Sequence, residues 1–231
     1  MRLLALFPAR SGSKRIPRKN IREFMGEPML ARPLKTALAS GLFSTVMVST
    51  DSEEIGELAK GYGAEVPFLR SKEASSDTAT TDRVIEEVIL KYRELGEEFD
   101  AFFCIYPTAV MLRPGMLKDA YSLLSEHDSV MPVVRFSYPP QRGIVIREGR
   151  AAYAYPEYKN ARSQDLEALY HDAGLFYGCR TEAFLKYGTT ETPDTAPLIL
   201  SETEVQDIDN ETDLELAELK LRRRGSDTEV G

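Results

Sequence analysis

Short apolar runs alternate with segments of helical period along the first 134 residues, and this alternation narrows the fold more than any other feature. Arg2–Phe7 is a continuous apolar run stopped by Pro8, which reads as a buried strand. Pro28 opens a helix through Ser40, with Leu30, Leu34, Ala37 and Leu38 on one face and Gly41 as the stop. Thr45–Ser49 is a second strand, and Asp51 or Ser52 caps a helix running to Lys60. Val66–Leu69 reads as a third strand. A helix follows from the Asp77–Thr81 cap region to about Leu95, with Val84, Ile85, Val88 and Ile89 at helical spacing. Ala101–Ile105, Met116–Leu124 and Ser129–Val134 continue the pattern as strand, helix and strand. Such alternation predicts an α/β fold, a mainly parallel sheet covered by helices on both faces. Residues 135–180 change character, and a lobe from 135 to 200 is expected. Pro139, Pro140, Gly143, Gly149 and Pro156 punctuate short extended pieces, which predicts an excursion from the sheet. Val205–Ile208 reads as a late strand and Glu211–Arg224 as a last helix, with Asn210 or Thr212 as its cap. The chain is expected to form one domain over 1–225 with a frayed tail at 226–231.

Composition excludes several classes. With 42% hydrophobic and 29% charged residues and no low-complexity tract, the chain can bury a core and is not disordered. Apolar runs such as Ala101–Tyr106 are too short to span a bilayer, and Pro8 and Arg10 cut the Leu3–Phe7 run off before it could act as a signal segment. Two cysteines, Cys104 and Cys179, make neither a disulfide framework nor a four-ligand zinc site, and a reducing, cytoplasmic setting is expected. The net charge of −8 argues against a nucleic-acid or anionic-membrane binder. Against that background, residues 10–19 hold Arg10, Lys14, Arg15, Arg18 and Lys19 and no acid. One basic loop in an acidic protein points to a small anionic ligand.

That loop, PARSGSKRIPRKN from Pro8 to Asn20, follows the first strand, and open α/β sheets bind ligands beyond the carboxyl ends of their strands. Ser11, Gly12 and Ser13 can turn backbone amides toward an anion, and Arg10, Lys14 and Lys19 can neutralise phosphate charge. The loop matches neither the Walker A pattern nor GxGxxG, which weakens ATPase and dehydrogenase readings. Near the other end of the chain, Asp207 and Asp209 lie two apart on the expected late strand, so their carboxylates share a face. Two such carboxylates can hold a hard cation, with phosphate oxygens and waters completing its shell. Acids at a strand end also cap helices, and Asp213 suits the first turn of the helix that follows.

PARSGSKRIPRKN resembles the nucleotide-binding signature of the acylneuraminate cytidylyltransferases, the enzymes that join CMP to acidic nine-carbon sugars. VSTDSEEI (48–55), EVPFLRSKEASSDTATT (65–81), CIYPTA (104–109), ARSQDLEALYHDAGLFY (161–177) and VQDIDNETD (205–213) resemble further blocks of that family, in family order. RSQD followed by HDAGxFY is most similar to the pseudaminic acid branch. The resemblance implies a Rossmann-like sheet of the nucleotide-diphospho-sugar transferase type, with 135–200 as a small sugar-binding and dimerisation excursion. It implies a homodimer, Mg²⁺ as cofactor, and CTP with an acidic nine-carbon sugar as substrates. In the implied reaction the anomeric hydroxyl attacks the α-phosphorus and diphosphate leaves.

Residue by residue, the resemblance implies that Ala9, Arg10, Ser11, Gly12, Ser13, Lys14, Lys19 and Asn20 bind the nucleotide, Asn20 at the ribose. It implies that Arg70 reads the cytosine edge, with Ala79 and Thr81 as further base contacts. Tyr106, Arg162, Gln164, His171 and Asp172 are the implied sugar-side residues, and Asp207 and Asp209 the metal ligands. Arg10, Lys14, Lys19 and Asp209 are expected to act in catalysis. No residue stands out as the general base; Asp209, a bound water and the substrate itself are all open.

Two positions depart from the pattern of the pseudaminic acid branch, and Ser163 departs from that of the sialic acid branch. Ser163 stands where the sialic acid branch carries arginine, Val110 replaces a second proline in YPTAP, and Leu175 replaces glutamine in HDAGQFY. The loss of the amide at 175 bears on which sugar is used. The alternatives are the same reaction on legionaminic or N-acetylneuraminic acid, or a CTP-binding homologue without catalysis.

Overall fold

The computed structural model describes residues 1–13 and 16–228, so Lys14 and the last three residues of the expected tail lie outside the described residues. In chain order the elements are β1 (Leu3–Pro8), β2 (Glu23–Phe24), β3 (Glu27–Pro28), α1 (Ala31–Ser40), β4 (Thr45–Ser49), α2 (Glu53–Gly61), α3 (Thr81–Glu94), β5 (Ala101–Ile105) and α4 (Pro114–Leu124). They continue as β6 (Ser129–Arg135), β7 (Ile144–Arg147), β8 (Arg150–Tyr153), β9 (Tyr170–Asp172), β10 (Phe176–Arg180), α5 (Thr181–Tyr187), β11 (Thr195–Leu200) and α6 (Glu211–Thr228).

The main sheet has the order β11-β6-β10-β5-β1-β4, with β9 also paired to β6. β1 runs parallel to β4 and β5, and β6 parallel to β11, while β10 is antiparallel to both β5 and β6. Five strands therefore share one direction, the mainly parallel arrangement expected from the alternation. The pleat of β1 sorts its side chains to two faces. Leu3, Ala5 and Phe7 pack with Leu34 of α1, Ile55 of α2 and Leu117 of α4. Leu4 and Leu6 pack with Ile85 and Val88 of α3 and Phe184 of α5. Helices cover both faces, as the unbroken apolar run in β1 requires.

Helix ends follow local chemistry. The Ser52 side chain accepts from the Ile55 N–H, and Thr80 from the Arg83 N–H, caps worth about 1 kcal/mol each. Gly41 ends α1 in the left-handed region at φ 67°. α1 begins at Ala31, after the β2–β3 hairpin takes up Pro28.

Four expectations change. The segment 66–69 is not a strand: Glu65 makes one parallel bridge to Met47, and Pro67 then lacks the N–H needed to extend the ladder. Nor is 205–208 a strand, because β11 occupies the free edge of β6. Two lysines satisfy the carbonyls of that extended segment instead. Lys220 Nζ donates to the Val205 carbonyl at 2.8 Å and Lys19 Nζ to the Ile208 carbonyl at 2.7 Å. The expected excursion at 135–200 is narrower, since β9, β10 and β11 belong to the main sheet and only 136–169 leaves it, carrying the β7–β8 hairpin. β10 enters the middle of the sheet at Gly178, where a Cβ would come within 2.7 Å of Val130 and 3.1 Å of the Phe103 ring. The last helix runs to Thr228, so 226–228 are helical rather than frayed.

Candidate functional site

The basic loop leaves β1 at the carboxyl end of the sheet and is held from both sides. Ala9 N–H donates to the Ser49 carbonyl at 2.9 Å, joining it to the end of β4. The Ser11 N–H and hydroxyl both donate to Asp51, at 2.8 Å each. Burial pushes the Asp51 carboxyl up, but those two bonds and the charge of Arg70 outweigh it and hold it below its usual range. Asn20 Nδ2 donates to the Arg10 carbonyl at 2.9 Å, closing the loop on itself. Ile16 is fully buried beside Val110, Met111, Ile208 and Leu214, which anchors the loop to the segment before α6. A cavity of about 130 Å³ opens here, lined by Arg10, Ser11, Arg18, Asn20 and Ile21 with Ser52, Glu54 and Ile55. Gly12 has open space around it, and Ser13 lies beside it half-buried.

The segment 70–81 forms the facing wall. Arg10 Nη1 is 3.0 Å from Asp77 Oδ1, which ties the loop to it. Arg70 is 8% exposed, so its charge is buried. Its Nε donates to Ser49 Oγ at 3.0 Å and its Nη2 to the Ser49 carbonyl at 2.5 Å. Burial lowers its pKa and the neighbouring Asp51 opposes that. The guanidinium thus braces the end of β4 with two nitrogens, while Nη1 makes no hydrogen bond among the described residues. Ala79 sits in a turn, its N–H 3.2 Å from the Ser76 carbonyl. Thr81 begins α3, and its hydroxyl is 3.5 Å from the Tyr106 hydroxyl.

Tyr106 links this wall to the segment 172–177. Its ring meets Tyr177 edge-on with centroids 5.8 Å apart. The Tyr177 hydroxyl donates to Asp172, whose other oxygen accepts the Gly174 N–H at 2.8 Å. Burial and the bond to Asp172 push the Tyr177 phenol far up, so it remains a donor. His171 packs its ring on Phe136 at 4.9 Å, with Nδ1 2.8 Å from the Asp172 carbonyl. Arg162 and Gln164 stand apart. Both are exposed in the turn around Ser163–Asp165, and Arg162 Nε is 2.8 Å from Asp165. No hydrogen bond or ion pair joins them to the basic loop or to Tyr106 among the described residues. Leu175 is fully buried in the main core and Val110 nearly so in the cluster around Ile16, so both departures from the family pattern are packing positions.

The two distant acids close the site. Lys19 Nζ lies 3.5 Å from Asp209 Oδ1 in addition to its bond to the Ile208 carbonyl, across 190 residues of sequence. Asp207 rests on Gly174, which adopts φ +64°. Burial and the like charge of Asp209 push the Asp207 carboxyl up, only partly offset by Lys19. Asp213 Oδ2 is committed to the Asp209 and Asn210 N–H groups at 2.8 and 3.0 Å, and Asn210 Oδ1 accepts the Asp213 N–H, so these two cap α6. Among the described residues there is no cluster of three or more His, Cys, Asp and Glu. Two carboxylates that repel one another, open to solvent beside a lysine-bearing loop, still suit a cation such as Mg²⁺, which takes one or two protein carboxylates and completes its shell elsewhere.

Asp51 and Asp77 are read from the sequence only as helix-cap candidates, and Gly174 and Tyr177 are not read as site residues. Asp51 and Asp77 lie in the blocks VSTDSEEI and SSDTATT, and Gly174 and Tyr177 in HDAGLFY, so block membership was the available signal.

Comparisons with known proteins converge on one family. A family model described as cytidylyltransferase matches residues 4–221. The chain is 39% identical over 222 residues to a pseudaminic acid cytidylyltransferase of Campylobacter jejuni, covering 95% of this chain and 96% of that one. It is 32% identical over 228 residues to a CMP-N,N'-diacetyllegionaminic acid synthase of Legionella pneumophila, covering 94% and 95%. Among solved structures, a CMP:2-keto-3-deoxy-manno-octonic acid synthetase complexed with CTP superposes with a TM-score of 0.71 at 16% identity, covering 98% of this chain and 100% of that one. That likeness shows the fold.

Proposed function

The chain belongs to the cytidylyltransferase family and is a nucleotidyltransferase, and on that premise we propose that it joins CMP from CTP to a pseudaminic-acid-like nonulosonic acid, releasing diphosphate. The observation that carries the reading is Lys19. Its ammonium meets the Ile208 carbonyl and Asp209, so the cationic loop after β1 and the acidic segment before α6 form one site. The choice of sugar is supported by the Campylobacter relative and by the RSQD and HDAG blocks.

The loop residues Ala9, Ser11, Gly12 and Ser13 present backbone and hydroxyl donors to the triphosphate, while Arg10, Lys14 and Lys19 balance its charge. Asn20 takes the ribose, and Arg70, Ala79 and Thr81 border the base. Tyr106 and the Asp172–Tyr177 pair border the sugar, with His171, Arg162 and Gln164 farther out. The sugar's anomeric hydroxyl attacks the α-phosphorus, in a reaction driven by positioning and charge balance. Asp207 and Asp209 would hold Mg²⁺, which supplies charge neutralisation to the phosphates when bound. Lys19 keeps Asp209 oriented and shares that task from the loop side.

We also infer a homodimer built through the segment 136–169, supported by its exposed Tyr138, Ile144, Ile146 and Tyr155. Light scattering on the full chain reads this directly. No helix among the described residues is long and apolar enough to cross a membrane.

The test of the reaction is diphosphate release from CTP and Mg²⁺ with pseudaminic, legionaminic and N-acetylneuraminic acids in parallel, with Asp209→Ala as control. Release with pseudaminic acid, lost in the variant, is the expected result. Release with another of the three instead overturns the choice of sugar. CTP binding with no release from any sugar overturns the catalytic reading.

A further inference from the structure

The guanidinium of Arg10 is held at one nitrogen. Its Nη1 lies 3.0 Å from Asp77 Oδ1 and 3.5 Å from the Ser76 carbonyl, whereas Nε and Nη2 make no hydrogen bond among the described residues. The same Ser76 carbonyl accepts the Ala79 N–H at 3.2 Å. The Arg10 side chain is therefore fixed against the turn that carries Ala79, on the wall facing the basic loop. The backbone of that loop does not depend on this contact. Ala9 N–H is tied to the Ser49 carbonyl, the Ser11 N–H and hydroxyl to Asp51, and the Arg10 carbonyl accepts from Asn20. Residues 9–11 thus have main-chain anchors of their own, and what Asp77 adds at residue 10 is the direction of the side chain.

The pair adds little to the stability of the fold. Its side chains are 37% and 57% exposed, and ion pairs open to water contribute little. An anchored nitrogen does change the freedom of a guanidinium. A free arginine samples many rotamers, and ordering it when a ligand binds costs affinity. A guanidinium already held at Nη1 keeps its other N–H donors in one plane, suited to the paired oxygens of a phosphate. The charge of Asp77 acts in the opposite sense. A carboxylate beside a cationic loop repels a polyanion bound there. Electrostatics alone therefore predicts that removing Asp77 tightens every phosphate ligand. Positioning predicts that it weakens the ligand that spans both the loop and the facing turn.

We propose that Asp77 is a positioning residue for Arg10, one that holds its guanidinium between the phosphate-binding loop and the turn bordering the base, so that CTP engages both together. The proposal rests on the reading of this loop as a CTP site. Asp77 thereby joins the phosphate end of that site to its base end, and its effect on nucleotide binding passes through Arg10.

Isothermal titration of the full-length protein with CTP and, separately, with inorganic triphosphate tests the proposal. Asp77→Ala should weaken CTP about fivefold or more while inorganic triphosphate binds no more weakly than in the wild type. Asp77→Asn keeps an acceptor for Arg10 without the charge, and it should recover most of the CTP affinity. In an Arg10→Gln background, Asp77→Ala should have no further effect on CTP. Glu54→Gln takes a charge from the exposed Arg18 pair near the same loop and measures the plain electrostatic effect, which should move both ligands in the same direction. The melting temperature of Asp77→Ala should stay close to that of the wild type. CTP and triphosphate both tightened or both unchanged in Asp77→Ala overturns the proposal, as does a CTP loss that persists in the Arg10→Gln background. A parallel loss of both ligands with a lowered melting temperature shows a role in folding instead and also overturns it. A wild type that binds no CTP is a different failure, since it overturns the reading of the loop as well.

Discussion

Asp207 lies directly against the bare Cα of Gly174. A Cβ at residue 174 would come within 2.9 Å of the Asp207 carboxyl carbon, and Gly174 sits at φ +64°, where side chains are strained. Gly174→Ala therefore meets two penalties at once, and a loss of about 1–3 kcal/mol in stability is expected. Activity should fall further than stability explains, because the displaced side chain is a proposed cation ligand. Thermal melting, together with diphosphate release measured well below the melting temperature, separates the two effects.

Lys19 performs two tasks, and each can be measured. Lys19→Gln keeps a donor for the Ile208 carbonyl but removes the charge beside Asp209 and, in the proposed complex, beside the phosphates. Charged hydrogen bonds are worth about 1.5–3 kcal/mol, so kcat/KM for CTP should drop roughly ten- to a hundredfold. Stability should change little. Steady-state kinetics with varied CTP would expose an unchanged kcat/KM, an outcome that removes Lys19 from the site.

The wall made by residues 70–81 depends on Glu87. Its side chain is 12% exposed and accepts from the Ser71 N–H at 2.9 Å, the Ser71 hydroxyl and Lys91. Burial pushes its carboxyl up, but these three donors win and hold it below its usual range. A depressed folded pKa contributes stability that is full above the unfolded value, about 4.3, and is lost as pH falls through the folded value. Glu87→Gln should cost about 1–3 kcal/mol near neutral pH. Its stability gap to the wild type should close on acidification below about pH 4. Denaturant melts at several pH values read this, and a gap independent of pH would refute it.

Tyr177 and Asp172 should behave as a pair. Tyr177→Phe removes the donor and Asp172→Asn the charged acceptor, each costing about 0.5–1.5 kcal/mol. The two changes together should cost less than their sum, because one bond is lost twice. KM for the sugar should rise in all three variants while KM for CTP stays near wild type. Additive effects in the double-mutant cycle would show that the two side chains act separately.

Leu175 provides a test of the family departure. The side chain is fully buried among core residues, so Leu175→Gln places an amide where no partner is at hand. A loss of about 2–4 kcal/mol is expected from lost packing and unpaired polar atoms. No gain in affinity for any of the three sugars should accompany it. A variant that folds as well as the wild type and binds one sugar better would return residue 175 to the site.

Much of the fold was legible in the sequence because most strands and helices up to residue 134 carry their own period, and α2 and α3 their own side-chain caps. Ser52 and Gly41 are local signals, and their structural roles are local too. The exceptions arose where a distant partner decided the outcome. Val205–Ile208 has strand composition, but β11 had already taken the edge of β6, and two lysines satisfy its carbonyls. The Pro and Gly punctuation from Pro139 to Pro156 reads as an excursion that takes in β10, yet β10 fits between β5 and β6 because Gly178 allows the close approach.

By itself the sequence determined the α/β layering, the basic loop after β1 and the acidic pair near the end, since these are written in contiguous residues. Only the tertiary structure decided that Lys19 meets Asp209, that Arg70 spends two nitrogens on Ser49, and that Asp172 is held by Tyr177 and the Gly174 N–H. Each of these is a pairing of charges or hydrogen-bonding groups, several of them distant in sequence. A linear pattern records which groups are available, and chain packing alone sets which of them come within bonding distance.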